Sequence, residues 1–210
     1  MLESAPMNLP SSKTIFTRNQ IQGAVGLMAA AVHHWIKAEG ARELNLIPIL
    51  EGAGPLTRDL TEKLQGLQPD LRIQAHFLKS RGTEGNALRE GREIQDGGLG
   101  WESLKDRPVL ILDDLLDSGK TLRAVQERAA ARGVVDFKSA VLIRKYADSL
   151  ARVDFRGFEL DLNRAALAAQ GLKDYWLFGY GMDWDGNFRE LDHVQGVEVR
   201  QAGAPGHDGK

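Results

Sequence analysis

Cysteine is absent from the 210 residues, so neither disulfide stapling nor thiolate chemistry is available. An excess of one charge is lacking too: 27 basic against 29 acidic residues leave a net charge of −2 and no basic face for nucleic acid. No apolar run approaches membrane-spanning length, and Met1 to Pro10 has neither the basic nor the apolar region of a signal peptide. Internal repeats and interdomain linkers are missing as well. His33 and His34 have no partner at metal-ligand spacing, and His76 and His193 stand singly. The expectation is a cytoplasmic, single-domain α/β protein with no metal site built only from its own side chains, and with neither nucleic acid nor membrane as partner.

The patterning that is present alternates between two periods. Thr17-Arg18-Asn19-Gln20 has capping-box spacing, and Ile21, Val25, Met28, Val32 and Ile36 then recur at helical intervals up to Gly40. Leu44 to Leu50 reads as a strand. Gly52-Ala53-Gly54 turns the chain into a helix with Pro55 in its first turn and Leu56, Leu60 and Leu64 as its buried stripe. Ile73 to Leu78, Val109 to Leu112, Ser139 to Ile143 and Trp176 to Tyr180 read as further strands of one central set. Strands alternating with helices predict a central, mostly parallel sheet flanked by helices, with ligands at the carboxyl ends of its strands. A domain over 13–200 is expected between a loose arm (1–12) and a frayed, glycine-rich tail (201–210). Within it, residues 80–100 carry Gly82, Gly85, Gly91, Gly97, Gly98 and Gly100 among charged residues. That segment is expected to be mobile, as an idle hairpin or as a lid.

The most informative stretch is Val109-Leu110-Ile111-Leu112-Asp113-Asp114-Leu115-Leu116-Asp117-Ser118-Gly119-Lys120-Thr121. A buried parallel strand ends in acid, and a short polar loop leads into a helix from Leu122 to Arg132 that stops at Gly133. Amides at a helix start lack intrahelical acceptors, so Ser118, Gly119, Lys120 and Thr121 form a phosphate cradle. Gly119-Lys120-Thr121 matches the end of a nucleoside triphosphatase loop. The upstream glycine of that motif is replaced by Asp114, which would repel phosphate, and the match is rejected. Carboxylates beside a phosphate site suit sugar hydroxyls or a divalent metal, so a phosphorylated sugar fits both halves.

This segment resembles the phosphoribosyl-diphosphate (PRPP) binding motif of type I phosphoribosyltransferases. Trp176-Leu177-Phe178-Gly179-Tyr180-Gly181-Met182-Asp183, with Asn187-Phe188-Arg189-Glu190-Leu191-Asp192-His193-Val194, resembles the C-terminal signature of hypoxanthine-guanine phosphoribosyltransferases, and Asp154-Phe155-Arg156-Gly157-Phe158-Glu159 resembles that family's approach to its purine pocket. The resemblance runs from about Ile15 to Val197. It implies the type I fold with a lid loop and a small C-terminal hood, and a homodimer or homotetramer. The implied reaction moves the phosphoribosyl group from PRPP to a 6-oxopurine, with Mg²⁺, releasing pyrophosphate and a nucleoside monophosphate (IMP or GMP).

Carried over residue by residue, the resemblance assigns Asp113 and Asp114 to the ribose hydroxyls and, with Asp183, to the metal. Leu115, Leu116 and Ser118 to Thr121 wrap the 5-phosphate, and Glu51, Gly52, Lys79 and Arg189 surround the pyrophosphate. Asp117 exchanges a proton with the purine ring, or else only caps the following helix. Trp176 stacks on the base, unless it is a core residue, and the backbone of Tyr175 to Leu177 meets the ring edge. Arg144 donates to the exocyclic oxygen, which favours 6-oxopurines over adenine.

Four features depart from the family pattern. Arg144 stands where lysine is usual, and Glu51 puts a carboxylate where a basic or neutral residue meets pyrophosphate. The lid opens Lys79-Ser80-Arg81 instead of with Ser-Tyr. Residues 162–174 are longer than the family norm and read as an added helical turn at the pocket rim. A phosphoribosyltransferase for another base, or a PRPP-binding regulator that has lost turnover, are the alternatives these departures raise.

Overall fold

The structure, a computed structural model, describes residues 11–82, 92–146, 148–149 and 151–200, with backbone alone for 80–82, 92 and 93. The arm up to residue 10, the tail from 201 and the centre of the expected lid (83–91) lie outside the described residues.

Strand β1 (Lys13–Phe16) leads into α1 (Arg18–Ala38), whose start carries the expected capping box: Thr17 accepts from the Gln20 amide while the Gln20 side chain accepts from the Thr17 amide. Its predicted stripe, Ile21, Val25, Met28, Val32 and Ile36, is buried. There follow β2 (Glu43–Leu50), α2 (Gly54–Leu67), β3 (Arg72–Ala75), β4 (Leu78–Gly82) and β5 (Arg92–Gln95). The chain continues through β6 (Val109–Leu116), α3 (Lys120–Ala131), β7 (Phe137–Tyr146), β8 (Phe155–Leu162), α4 (Arg164–Ala169), β9 (Leu172–Phe178) and β10 (Val194–Arg200).

The main sheet runs β5-β4-β2-β6-β7-β8, with β3 beside the first half of β2. All its pairings are parallel except β4 with β5. Helices α1 and α2 cover one face, where Leu56, Leu60 and Leu64 are fully buried and contribute roughly 2 kcal/mol each. On the other face α3 packs Leu122, Val125 and Ala129 against Ile47, Ile111 and Val141, with Trp101 beneath the sheet edge. Strand β6 lies between β2 and β7, so its acidic end opens in the middle of the sheet. Among the described residues no helix is long and apolar enough to cross a membrane.

Three readings from sequence change. Ile73 to Leu78 is not one strand but two, β3 and β4, because β2 pairs first with one and then with the other. Phe155–Leu162, read only as part of a signature, is the edge strand β8. Trp176 to Tyr180 does not belong to the central sheet. It is the end of β9, which with β10 and β1 forms a separate antiparallel sheet, the hood. The stacked rings of Phe16 and Phe158, 3.8 Å between centroids, join hood to main sheet. Residues 162–174 do contain a short helix, α4, capped by the Asn163 side chain.

Just beyond β5, Asp96 ties the end of that strand to α3. It accepts from Arg128 at 2.6 and 3.1 Å and from the Trp101 indole at 3.1 Å. The Arg128 guanidinium, helped by Trp101, holds the Asp96 carboxyl down at about 2. A depressed carboxyl stabilises the fold above its unfolded value near 4, and that contribution is lost as pH falls through about 2. Asp96→Asn is therefore expected to lower the thermal unfolding midpoint at pH 7 and to match the parent near pH 2. A gap between the two proteins that stays constant with pH would disprove this origin.

Candidate active site

Three loops at the carboxyl ends of β2, β6 and β9 meet around a cavity of about 500 Å³. Their approach is close enough to demand glycine. A Cβ on Gly52 would overlap the Asp114 carboxylate, and one on Gly181 (φ 98°) would overlap the Gly52 carbonyl and Pro55. The loop after β9 turns through three successive positive φ values at Gly179, Tyr180 and Gly181. Tyr180 pins it by donating to Asp59 of α2 at 2.8 Å. Burial opposes charge on Asp59, but hydrogen bonds from Arg58, Tyr180 and Gln22 outweigh it and hold the carboxyl below its usual range. The Tyr180 hydroxyl is pushed up in turn, by burial and then by Asp59.

The β6–α3 junction supplies one wall. Gly119 takes a left-handed conformation (φ 78°) and is the N-cap of α3, so the amides from Ser118 to Thr121 line the cavity as an open first turn. Asp117 is not that cap. Its side chain instead meets two cations: Lys145 Nζ at 3.1 Å from Oδ2 and Arg164 Nη2 at 3.3 Å from Oδ1. Asp113 and Asp114 sit side by side at the strand end. Burial pushes the Asp114 carboxyl up, and hydrogen bonds with Asp113 and from the Leu115 amide only partly offset it.

The opposite wall is Trp176, Asp183 and Arg189 from the hood, with Glu51 and Gly52 at the side and Lys79 beyond. Trp176 is no core residue: it is 45 % exposed, braced by its indole bond to the Asp183 carbonyl at 2.9 Å and by an edge contact with Trp184. An exposed ring beside a cavity is available for stacking. Arg189 donates to the Gly181 carbonyl at 2.6 Å and pairs with Asp183 at 2.7 Å and Glu51 at 3.6 Å. The Glu51 carboxylate thus turns toward the arginine at the end assigned to pyrophosphate.

All the site residues assigned from sequence line this cavity except two. Arg144 is not on it. On β7 side chains alternate between faces, and Arg144 points to Glu159 of β8 at 3.1 Å, away from the cavity. The cation on the cavity face is its neighbour Lys145, almost fully buried and held by Asp174 at 2.7 Å as well as by Asp117. The polarity pattern could not reveal this, because Ala140 to Ile143 is buried on both faces. Tyr175, for which the backbone alone was assigned, is the other residue off the cavity lining. Its ring lies on the far face of β9, over Gly196 and under the Lys13 ammonium, while Asp174 and Trp176 face Lys145 and the cavity. Sequence reasoning also missed Asp174 and Arg164; the lengthened segment that carries both was the available signal.

Among the described residues no three carboxylates or histidines converge as a closed metal site. Magnesium needs less: it keeps waters, takes substrate phosphate oxygens and uses one or two carboxylates. Asp113 and Asp114, whose crowding a cation would relieve, and Asp183 across the cavity form an all-oxygen donor set that fits it.

Residues 19–174 match the family described as phosphoribosyl transferase domain. The hypoxanthine-guanine phosphoribosyltransferase of Dictyostelium discoideum is 25% identical over 186 residues, which cover 88% of this chain and 94% of that relative. The enzyme of the same name from Bacillus subtilis is 28% identical over 152 residues, 70% of this chain and 73% of the relative. Among solved structures, hypoxanthine phosphoribosyl transferase of Trypanosoma cruzi superposes with a TM-score of 0.73 at 21% identity, covering 95% of both chains. The hypoxanthine-guanine enzyme of Leishmania donovani gives 0.72 at 21% identity, over 89% of this chain and 100% of that one. At those identities the superpositions speak to the fold.

Proposed function

The chain belongs to the phosphoribosyl transferase domain family, and from that premise we propose that it transfers the 5-phosphoribosyl group of PRPP to a 6-oxopurine, releasing pyrophosphate and IMP or GMP. The observation that carries this reading is that Asp117 and Lys145, in contact with each other, share one cavity with Trp176 and the phosphate cradle. A base stacked on Trp176 would offer its exocyclic oxygen to the Lys145 ammonium and a ring N–H to Asp117. A carbonyl suits a lysine donor; the amino group of adenine does not. The Dictyostelium discoideum and Bacillus subtilis relatives, which match most of this chain, carry the hypoxanthine-guanine name, and that supports the same substrate class.

In the reaction a purine nitrogen bonds to the sugar carbon, the bond from that carbon to pyrophosphate breaks, and the electron pair leaves with pyrophosphate. The ring proton passes to Asp117. Asp113 and Asp114 hold the ribose hydroxyls, the α3 first turn with Leu115 and Leu116 behind it holds the 5-phosphate, and Lys79, Gly52 and Arg189 hold pyrophosphate. Asp113, Asp114 or Asp183, together with substrate oxygens, would hold Mg²⁺, which would supply neutralisation of charge on the leaving group. We further assign the protein to the cytoplasm as a homodimer or homotetramer.

The test is pyrophosphate release from PRPP and Mg²⁺ with hypoxanthine, guanine, xanthine, adenine or uracil. Release with the 6-oxopurines alone is expected. Release only with another base would refute the substrate class, and PRPP binding without release would leave a regulator. That second reading draws on the Glu51–Arg189 pair, which sets a carboxylate against the leaving group's arginine. If the protein is an enzyme, Glu51→Gln should lower the KM for PRPP about 2- to 5-fold, the worth of one exposed ion pair. A higher KM would mean that Glu51 assists binding.

A further inference from the structure

We propose that Arg164, on helix α4, is a positioning residue that holds the Asp117 carboxylate in register for proton exchange with the base. The proposal rests on the transfer activity argued above. Asp117 stands at a loop tip with 42 % of its side chain exposed, so nothing in its own segment fixes its rotamer. Two cations grip it, one at each oxygen, and their situations differ.

Lys145 has a second acceptor, Asp174, which is nearer at 2.7 Å than Asp117 at 3.1 Å. It can therefore turn from Oδ2 to the base's exocyclic oxygen and remain held. Arg164 has no such duty toward the base. Its Nη1 donates to both oxygens of Asp148 at 2.7 and 2.9 Å, and its guanidinium lies 3.7 Å over the Tyr146 ring. That clamp aims Nη2 at Oδ1 of Asp117. When Lys145 moves to the base, Arg164 is what keeps Asp117 oriented, with Oδ2 free to take the ring proton.

The groups facing Asp117 are Lys145 and Tyr146 of β7, Asp174 of β9, Arg164 of α4, Asp148 after β7, and Lys120 farther along its own loop. Tyr146 stays neutral, raised by burial and then by Asp174. Arg164 and Lys145 are the cations in direct contact with Asp117 among the described residues, so loss of Arg164 removes one of the two.

The experiment uses the full chain with PRPP, Mg²⁺ and hypoxanthine, comparing the parent with R164M, R164K and D148N. R164M is expected to lower kcat about 10-fold while moving the KM for PRPP less than about 2-fold, because orientation and not sugar-phosphate binding is lost. R164K keeps the charge but neither the fork to Asp148 nor the flat group over Tyr146, so it should recover only part of kcat, and D148N should lower kcat by less than R164M. Parental kcat in R164M would overturn the proposal while leaving the transfer activity intact. A kcat loss in R164M accompanied by an equal rise in the KM for PRPP, or by a lowered unfolding midpoint, would mark Arg164 as merely structural and also overturn it. Absence of pyrophosphate release from the parent with any base would remove the activity, and the proposal with it.

Discussion

Asp117→Asn should bind PRPP within about 3-fold of the parent yet turn over about 10²-fold more slowly or worse, as expected when a general acid/base is removed. The two effects separate because different parts of the junction carry them. On the proposed reading the 5-phosphate takes the first turn of α3 and the ribose the Asp113–Asp114 pair, and neither uses the Asp117 side chain. Asparagine matches aspartate in shape but cannot accept a proton. Its amide nitrogen would also have to face either Lys145 or Arg164, each of which donates to a carboxylate oxygen in the parent. Titration calorimetry with PRPP and Mg²⁺, beside steady-state rates with hypoxanthine, measures both quantities. Parental turnover in the variant would refute the role given to Asp117.

Lys145→Met and Arg144→Met should part company just as sharply. Removing Lys145 takes away the donor to the base and leaves Asp117 and Asp174 facing each other without their shared cation. Burial already works against charge on Asp174, and the Lys145 hydrogen bond, with help from Tyr146 and the Tyr175 amide, is what keeps its carboxyl below the usual range. The expected result is a KM for hypoxanthine raised about 10- to 100-fold, the worth of one charged hydrogen bond, and a loss of roughly 2 kcal/mol in stability. Arg144→Met breaks a partly exposed pair with Glu159 and should cost about 1 kcal/mol or less, with the KM for hypoxanthine unchanged. Initial-rate kinetics and denaturant unfolding of both variants decide the matter. The reverse pattern, with Arg144 governing the base, would overturn the assignment of the pocket cation to Lys145.

The adjacent pair Arg144-Lys145 shows where sequence reasoning reached its limit. A strand with one wet face declares its register through alternating polarity. Ala140 to Ile143 is buried on both faces, so the resemblance fixed the neighbourhood of the cation but not which of two consecutive residues faces the cavity. Trp176 and Tyr175 posed the same question on β9, answered by the packing of Tyr175 against β1 and β10. Local signals fared differently. The capping box at Thr17, the stripe on α2 and the turn at Gly119 each depend on neighbours a few residues away, and the structure has all three. Strand β8 escaped because its half-exposed edge position leaves no continuous apolar run to read.

By itself the sequence determined the alternation of strands and helices, the acidic strand end and the amide-lined helix start, because hydrophobic period, capping and turn chemistry act over short spans of chain. Tertiary structure alone decided which of two adjacent cations faces the cavity, that the tryptophan belongs to a separate sheet, and that a short helix reaches back from residue 164 to Asp117. Those outcomes depend on the face a buried strand presents and on contacts between residues far apart in the chain. No local pattern carries that information.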